Sequence, residues 1–100
     1  MSALVLVQGR VTDAERYLLY RDAATPTILK YGGTTMVLAG DVNPSPVTAL
    51  EGEVAKGVVI LQFASKEAAL AWYHSPEYTA ARELRRDAVE ITMLVVETLT

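Results

Sequence analysis

The sequence predicts an α+β sandwich, a four-stranded antiparallel sheet with two helices on one face. Three observations point to it. Four short runs rich in Val, Ile, Leu and Met have the length of strands. Two segments, one after the first run and one after the third, repeat their bulky residues every three or four positions. Each of those segments opens on residues that cap helices. The order is strand–helix–strand–strand–helix–strand, and right-handed crossovers turn it into the ferredoxin-like βαββαβ arrangement.

The first strand is "ALVLVQGRV", Ala3 to Val11. In the "TDAE" that follows, Thr12 with Glu15 three residues on has the spacing of a capping box and starts a helix. Tyr17, Tyr20, Ala24, Ile28 and Tyr31 then fall on one face of that helix. Pro26 removes a backbone donor and predicts a kink or restart near Ala24–Thr27. Tyr31-Gly32-Gly33 supplies a glycine stop. "TTMVLAG", Thr34 to Gly40, is the second strand. The segment "DVNPSPVTALEGEVAKG" reads as a long connection, with a short extended piece at Val47–Leu50. "VVILQF", Val58 to Phe63, is the third strand. Ser65 caps a helix running through Trp72, and "HSPEY" restarts it with Ser75 as cap, Pro76 in first position and Glu77 in the first turn. This piece ends near Arg86, and Ala88 to Leu99 forms the last strand.

One hundred residues make a single domain, 1–100. With 51% hydrophobic and 21% charged residues the chain is globular rather than disordered. A net charge of −3 argues against nucleic acid as a partner. The basic cluster Arg82, Arg85 and Arg86 reads as a solvated helix end. Zero cysteines exclude disulfides and thiolate metal sites. The first apolar run is too short to span a membrane and reads as a strand, so the expected location is the cytoplasm.

A sheet covered on one face alternates apolar and polar residues. These strands are apolar in both sets of alternate positions, so two faces need cover and the helices supply only one. A second copy on the other face is the economical solution, which predicts a homodimer with sheets face to face. Gln8 and Gln62 interrupt the pattern. With the first and third strands taken as parallel neighbours, the two amides would lie side by side, bonded to each other or lining a cavity.

The chain resembles a bacterial domain-of-unknown-function family whose members run "YxxYR…P…YGG…G" and then "EG…VVxxEFxS…A…AWYxSPEYxxxxxLR". The matching residues are Tyr17, Tyr20, Arg21, Pro26, Tyr31-Gly32-Gly33, Gly40, Glu51-Gly52, Val58-Val59, Phe63, Ser65, Ala71-Trp72-Tyr73, Ser75-Pro76-Glu77-Tyr78, Leu84 and Arg85. Gln62 stands where relatives carry a carboxylate and Ala64 where they carry proline. The resemblance implies the dimeric α/β-barrel superfamily, in which ferredoxin-like sandwiches pair face to face. That superfamily includes cofactor-free monooxygenases, haem-degrading enzymes and ligand-binding regulators. No catalytic residue comes with the family itself.

The candidate site is aromatic. His74, the only histidine, is the natural proton shuttle near neutral pH and stands between two helical pieces. Tyr20 is the second candidate for proton transfer. Tyr17, Tyr31, Trp72 and Tyr73 would wall a pocket between helices and sheet, with Gln8 and Gln62 orienting a polar group. The same tyrosines could equally be core bodies with hydroxyls at the rim. A haem site of Trp72, His74 and Gln8 matches no recognisable spacing, and no metal or other cofactor is expected. Two functions stay open: a cofactor-independent enzyme acting on a small hydrophobic or aromatic metabolite, and a noncatalytic ligand-binding or accessory protein.

Overall fold

A computed structural model of the protein describes residues 1–40, 46–53 and 57–100. The elements follow the predicted order: β1 (Ala3–Val11), α1 (Ala14–Lys30), β2 (Thr34–Ala39), β3 (Gly57–Phe63), α2 (Lys66–Tyr73), α3 (Pro76–Glu83) and β4 (Val89–Glu97). The strands form one sheet in the order β2-β3-β1-β4, with every neighbouring pair antiparallel. The fold is the α+β, ferredoxin-like sandwich the sequence predicts. No helix among the described residues is long and apolar enough to cross a membrane.

The helices cover the sheet face built by Val5, Val7, Val59, Leu61, Phe63, Met93 and Val95. Trp72, Tyr78 and Phe63 are the largest fully buried side chains and pack between helices and sheet. Trp72 stands 4.1 Å from Tyr78 and 5.4 Å from Phe63, ring centre to ring centre. Its indole N–H donates to Thr27 Oγ1 at 3.0 Å, so the buried polar edge is satisfied. Gly33 lets the end of α1 close onto this core. A Cβ there would stand 2.7 Å from the Phe63 ring and 2.8 Å from Ile28.

Strand pairing corrects the expected direction. β1 and β3 are antiparallel, with Leu4 opposite Gln62 and Gln8 opposite Val58. In this topology the crossover helix returns the chain parallel to β1 in β2, and the connection from β2 to β3 then reverses it. Gln8 and Gln62 therefore lie at opposite ends of the shared ladder. Gln62 donates to Ser2 Oγ at 3.3 Å, and Gln8 is exposed beside Thr92 and Val58.

Two helix features also differ. The cap of α1 is Asp13, whose carboxylate accepts from the Arg16 N–H at 3.2 Å. Thr12 instead hydrogen-bonds through its backbone N–H to the Ala88 carbonyl, which moves the helix start one residue on. Nor does α1 restart at Pro26: it is a single helix from Ala14 to Lys30. Pro26 lies on the exposed side, where solvent can take the freed carbonyl. The Thr25 hydroxyl bonds the Arg21 carbonyl in the same turn.

Ser65 and Ser75 cap α2 and α3 as predicted, accepting from Ala68 and Tyr78 N–H. The last helix ends at Glu83 rather than Arg86. The chain turns through Leu84–Ala88, with Asp87 in the left-handed region at φ 61°. Pro46–Leu50 form no strand, contrary to the extended piece expected there. Asn43 and Pro44 of the predicted connection lie outside the described residues.

Candidate ligand-binding site

A cavity of about 420 Å³ opens between α1 and the sheet. It follows from an uneven roof. α2 and α3 hold the aromatic core against one end of the sheet. Over the other end the sheet presents short or slender groups, Gly9, Gly57 and Val59, and α1 spans them without filling the space. Gly9 belongs there for a backbone reason. A Cβ on it would stand 2.2 Å from the Glu90 carbonyl oxygen, so only glycine allows β1 and β4 to approach at this point.

The floor is apolar: Val7, Val59, Leu61, Ile91 and Met93. Tyr17, Tyr20, Ala24 and Ile28 form the α1 wall, and Trp72 lies at the inner end. Leu38 of β2, 57% exposed, and Pro46 stand at the rim. The polar residues on the lining are Tyr17, Tyr20, Thr25, Thr35, Arg10, Arg21 and Arg85. Among the described residues no Asp, Glu or His lines the cavity.

The phenols are held neutral. Burial raises Tyr20 first, and the nearby Tyr78, which shares a 2.8 Å hydroxyl hydrogen bond with it, raises it further. Burial also raises Tyr17, against the opposing pull of Arg21 and, more weakly, Arg85. Such groups donate hydrogen bonds well and are poor bases at neutral pH. Arg85 comes in from the turn after α3. Its guanidinium carbon lies 5.4 Å from the centre of the Tyr20 ring, and its buried Nε has no hydrogen-bond partner among the described residues.

The predicted site residues divide into groups. Tyr17, Tyr20 and Trp72 meet at the cavity. Gln8 and Gln62 project from the opposite sheet face. Tyr31 caps the end of α1 and points its hydroxyl to Glu77 at 3.3 Å, where Glu77 also pairs with Lys30. Tyr73 packs beside the core under Arg82, whose guanidinium carbon is 4.5 Å from the ring centre. His74 is exposed at the end of α2, edge-on to Tyr73, at a smaller hollow of about 330 Å³. Among the described residues no group of three His, Cys, Asp or Glu could hold a metal.

Sequence reasoning missed Arg21 and Arg85. It counts Arg85 within a solvated basic cluster and gives Arg21 no role at a site. The available signal was their place in the blocks "YxxYR" and "LR" that carry the family resemblance.

The family model described as domain of unknown function DUF1330 matches residues 2–99. The chain belongs to this family. Among proteins with curated descriptions none matches the sequence. Several solved structures share the DUF1330 chain's fold. A protein of unknown function from Rhodopseudomonas palustris superposes with a TM-score of 0.77 at 20% identity, covering 99% of this chain and 83% of that one. A dimeric ferredoxin-like protein of unknown function from Thermobifida fusca gives 0.67 at 12%, covering 98% and 92%. A candidate antibiotic biosynthesis monooxygenase from Nitrosomonas europaea gives 0.63 at 10%, covering 98% and 90%. At these identities the likeness is one of fold.

Proposed function

We propose that this DUF1330 protein binds a small, largely apolar molecule in the cavity between α1 and the sheet, working as a homodimer. One observation carries the reading. A hollow of about 420 Å³ with an apolar floor and neutral phenols on its wall has the size and make-up of a small-molecule site. An aromatic metabolite suits it best, because Tyr17, Tyr20 and Trp72 offer ring faces and a flat body would slide between α1 and the sheet.

The dimer completes the reading. Leu4, Leu6, Val58, Ile60, Leu94 and Val96 alternate with the core-facing residues and so line the other side of the sheet. Leu94 and Val96 are 45% and 37% exposed in the single chain. A second copy placed sheet to sheet would remove this surface from water, and the Thermobifida fusca neighbour is dimeric.

Binding and orientation are favoured over proton abstraction, since His74 lies away from the cavity and both cavity phenols resist ionisation. A cofactor-independent enzyme is the second reading. It is favoured by the Tyr17 hydroxyl, which has no hydrogen-bond partner among the described residues and could donate to a bound molecule.

Titration with N-phenyl-1-naphthylamine, a neutral fluorescent probe, tests the site. Saturable binding that is lost when Ala24→Phe fills the cavity, and weakened when Leu38→Trp narrows its rim, is expected. Unchanged affinity in both folded variants would place the probe elsewhere and defeat the reading.

A further inference from the structure

The cavity contains more than an apolar slot requires. A ligand that was only hydrophobic would need no arginine in the lining, yet Arg85 is part of it. The turn after α3 passes through Asp87 in the left-handed region, which aspartate tolerates better than most residues. In that turn Ala88 N–H bonds the Arg85 carbonyl and the Thr12 hydroxyl bonds the Asp87 carbonyl at 3.4 Å. The Arg85 guanidinium lies along the Tyr20 ring, whereas its neighbour Arg86 pairs with Glu83.

The charges around Arg85 are uncompensated on this side. Ion pairs among the described residues are Arg10–Glu90, Lys30–Glu77 and Arg86–Glu83. Among those residues no carboxylate stands within ion-pair distance of Arg21 or Arg85, and no acidic side chain lines the cavity. The Nε of Arg85 lacks an acceptor but has no accessible surface, so a ligand can meet only the terminal nitrogens of this guanidinium. The Tyr17 hydroxyl, within electrostatic reach of both guanidiniums, likewise has no hydrogen-bond partner among the described residues. Two unpaired cations and a phenolic donor on the lining, with an apolar floor of Val7, Val59, Leu61 and Met93, form an amphipathic site.

Resting on the reading of this cavity as the binding site, we infer that its ligand is an amphipathic acid: an aromatic or aliphatic body bearing one carboxylate, received by Arg85 with Arg21 and Tyr17. A carboxylate fits because it offers two acceptor oxygens to the planar guanidinium fork. The body lies on the sheet floor beneath Ala24 and Ile28.

Two probes of nearly equal shape separate this inference from the one it rests on. 1-Naphthoate carries the carboxylate, and 1-naphthamide replaces it with a neutral amide. In calorimetric or fluorescence titrations, naphthoate is expected to bind at least about tenfold more tightly, the scale of a charge-assisted hydrogen bond lost. Arg85→Gln should abolish that advantage while leaving naphthamide affinity within about twofold, which also shows that the variant is folded. Arg21→Gln should reduce the advantage only in part, because that side chain is exposed and screened.

Equal binding of both probes to the wild type would overturn the inference and leave the cavity reading standing. Failure of both probes, and of N-phenyl-1-naphthylamine, would overturn both. An advantage that survives in Arg85→Gln would show the anion recognised elsewhere, and would also overturn the inference. Should that variant not fold, Arg85→Lys keeps the charge but not the fork. A severalfold loss of the naphthoate advantage is then expected, and no loss would count as contradiction.

Discussion

Trp72 joins the stability of the protein to its cavity. Its ring fills the space between Phe63 and Tyr78, while its N–H is tied to Thr27 on α1. Thr27 in turn donates to the Ala24 carbonyl at 2.6 Å, so one hydroxyl serves both the helix and the indole. Thr27→Val keeps the shape and removes the acceptor, leaving a buried N–H unpaired. We expect a loss of about 1–3 kcal/mol in urea unfolding. Thr27→Ser, which restores the hydroxyl, should recover most of it. A second residue-scale prediction concerns the phenols. In the unfolded chain tyrosine loses its proton near pH 10, whereas burial holds Tyr17 and Tyr20 neutral to higher pH. Their contribution to stability is therefore whole below about pH 10 and is lost as pH rises through the folded-state values. Urea midpoints measured from pH 8 to 11 should fall above pH 10. Tyr20→Phe, with one phenol fewer to ionise, should show a shallower fall relative to its own value at pH 8.

The elements themselves are legible in the sequence where pattern alone decides them. β1, β3 and β4 are almost continuous apolar runs, and Ser75-Pro76-Glu77 carries cap, first-turn proline and first-turn acid in three adjacent positions. Strand direction follows from the predicted element order, not from the apolar pattern: the crossover makes β2 parallel to β1 and the next connection reverses β3. The expected pairing of Gln8 with Gln62 fails because it takes β1 and β3 as parallel against that order, and with it goes the site the two amides would have shared. Pro26 misleads for a different reason: whether a proline breaks a helix depends on which side its lost hydrogen bond falls, and tertiary packing settles that. The cavity rests on a strand-level feature, the close approach of β1 and β4 at Gly9. Gly9→Ala would force the Glu90 backbone away, with an expected cost of at least about 1–3 kcal/mol in thermal or urea unfolding. Ser75→Ala removes an acceptor for Tyr78 N–H and a 2.7 Å bond to the Trp72 carbonyl, at an expected cost of about 1–2 kcal/mol.

At the scale of the whole molecule, the sheet is apolar on both faces and uses them differently. One face holds the aromatic core and the cavity; the other, by our reading, holds the second copy. The doubled apolar pattern is written in the strand sequences, and so is an aromatic wall between helices and sheet, whereas the extent of the cavity is not. Its volume is a difference between a helix path and a strand spacing, and Arg85 joins its lining from a turn that the sequence reads as a solvated helix end. Sedimentation velocity at micromolar concentration should show a dimer, and Ile60→Glu, which sets a charge in the middle of the open face, should shift it to monomer. That open face is also the chief rival for any apolar probe. A crystal structure of the complex with N-phenyl-1-naphthylamine therefore tests the account most directly. Ordered density beneath α1, between Ala24 and Leu61, is the predicted result. Density on the open sheet face with the space under α1 unfilled would contradict it.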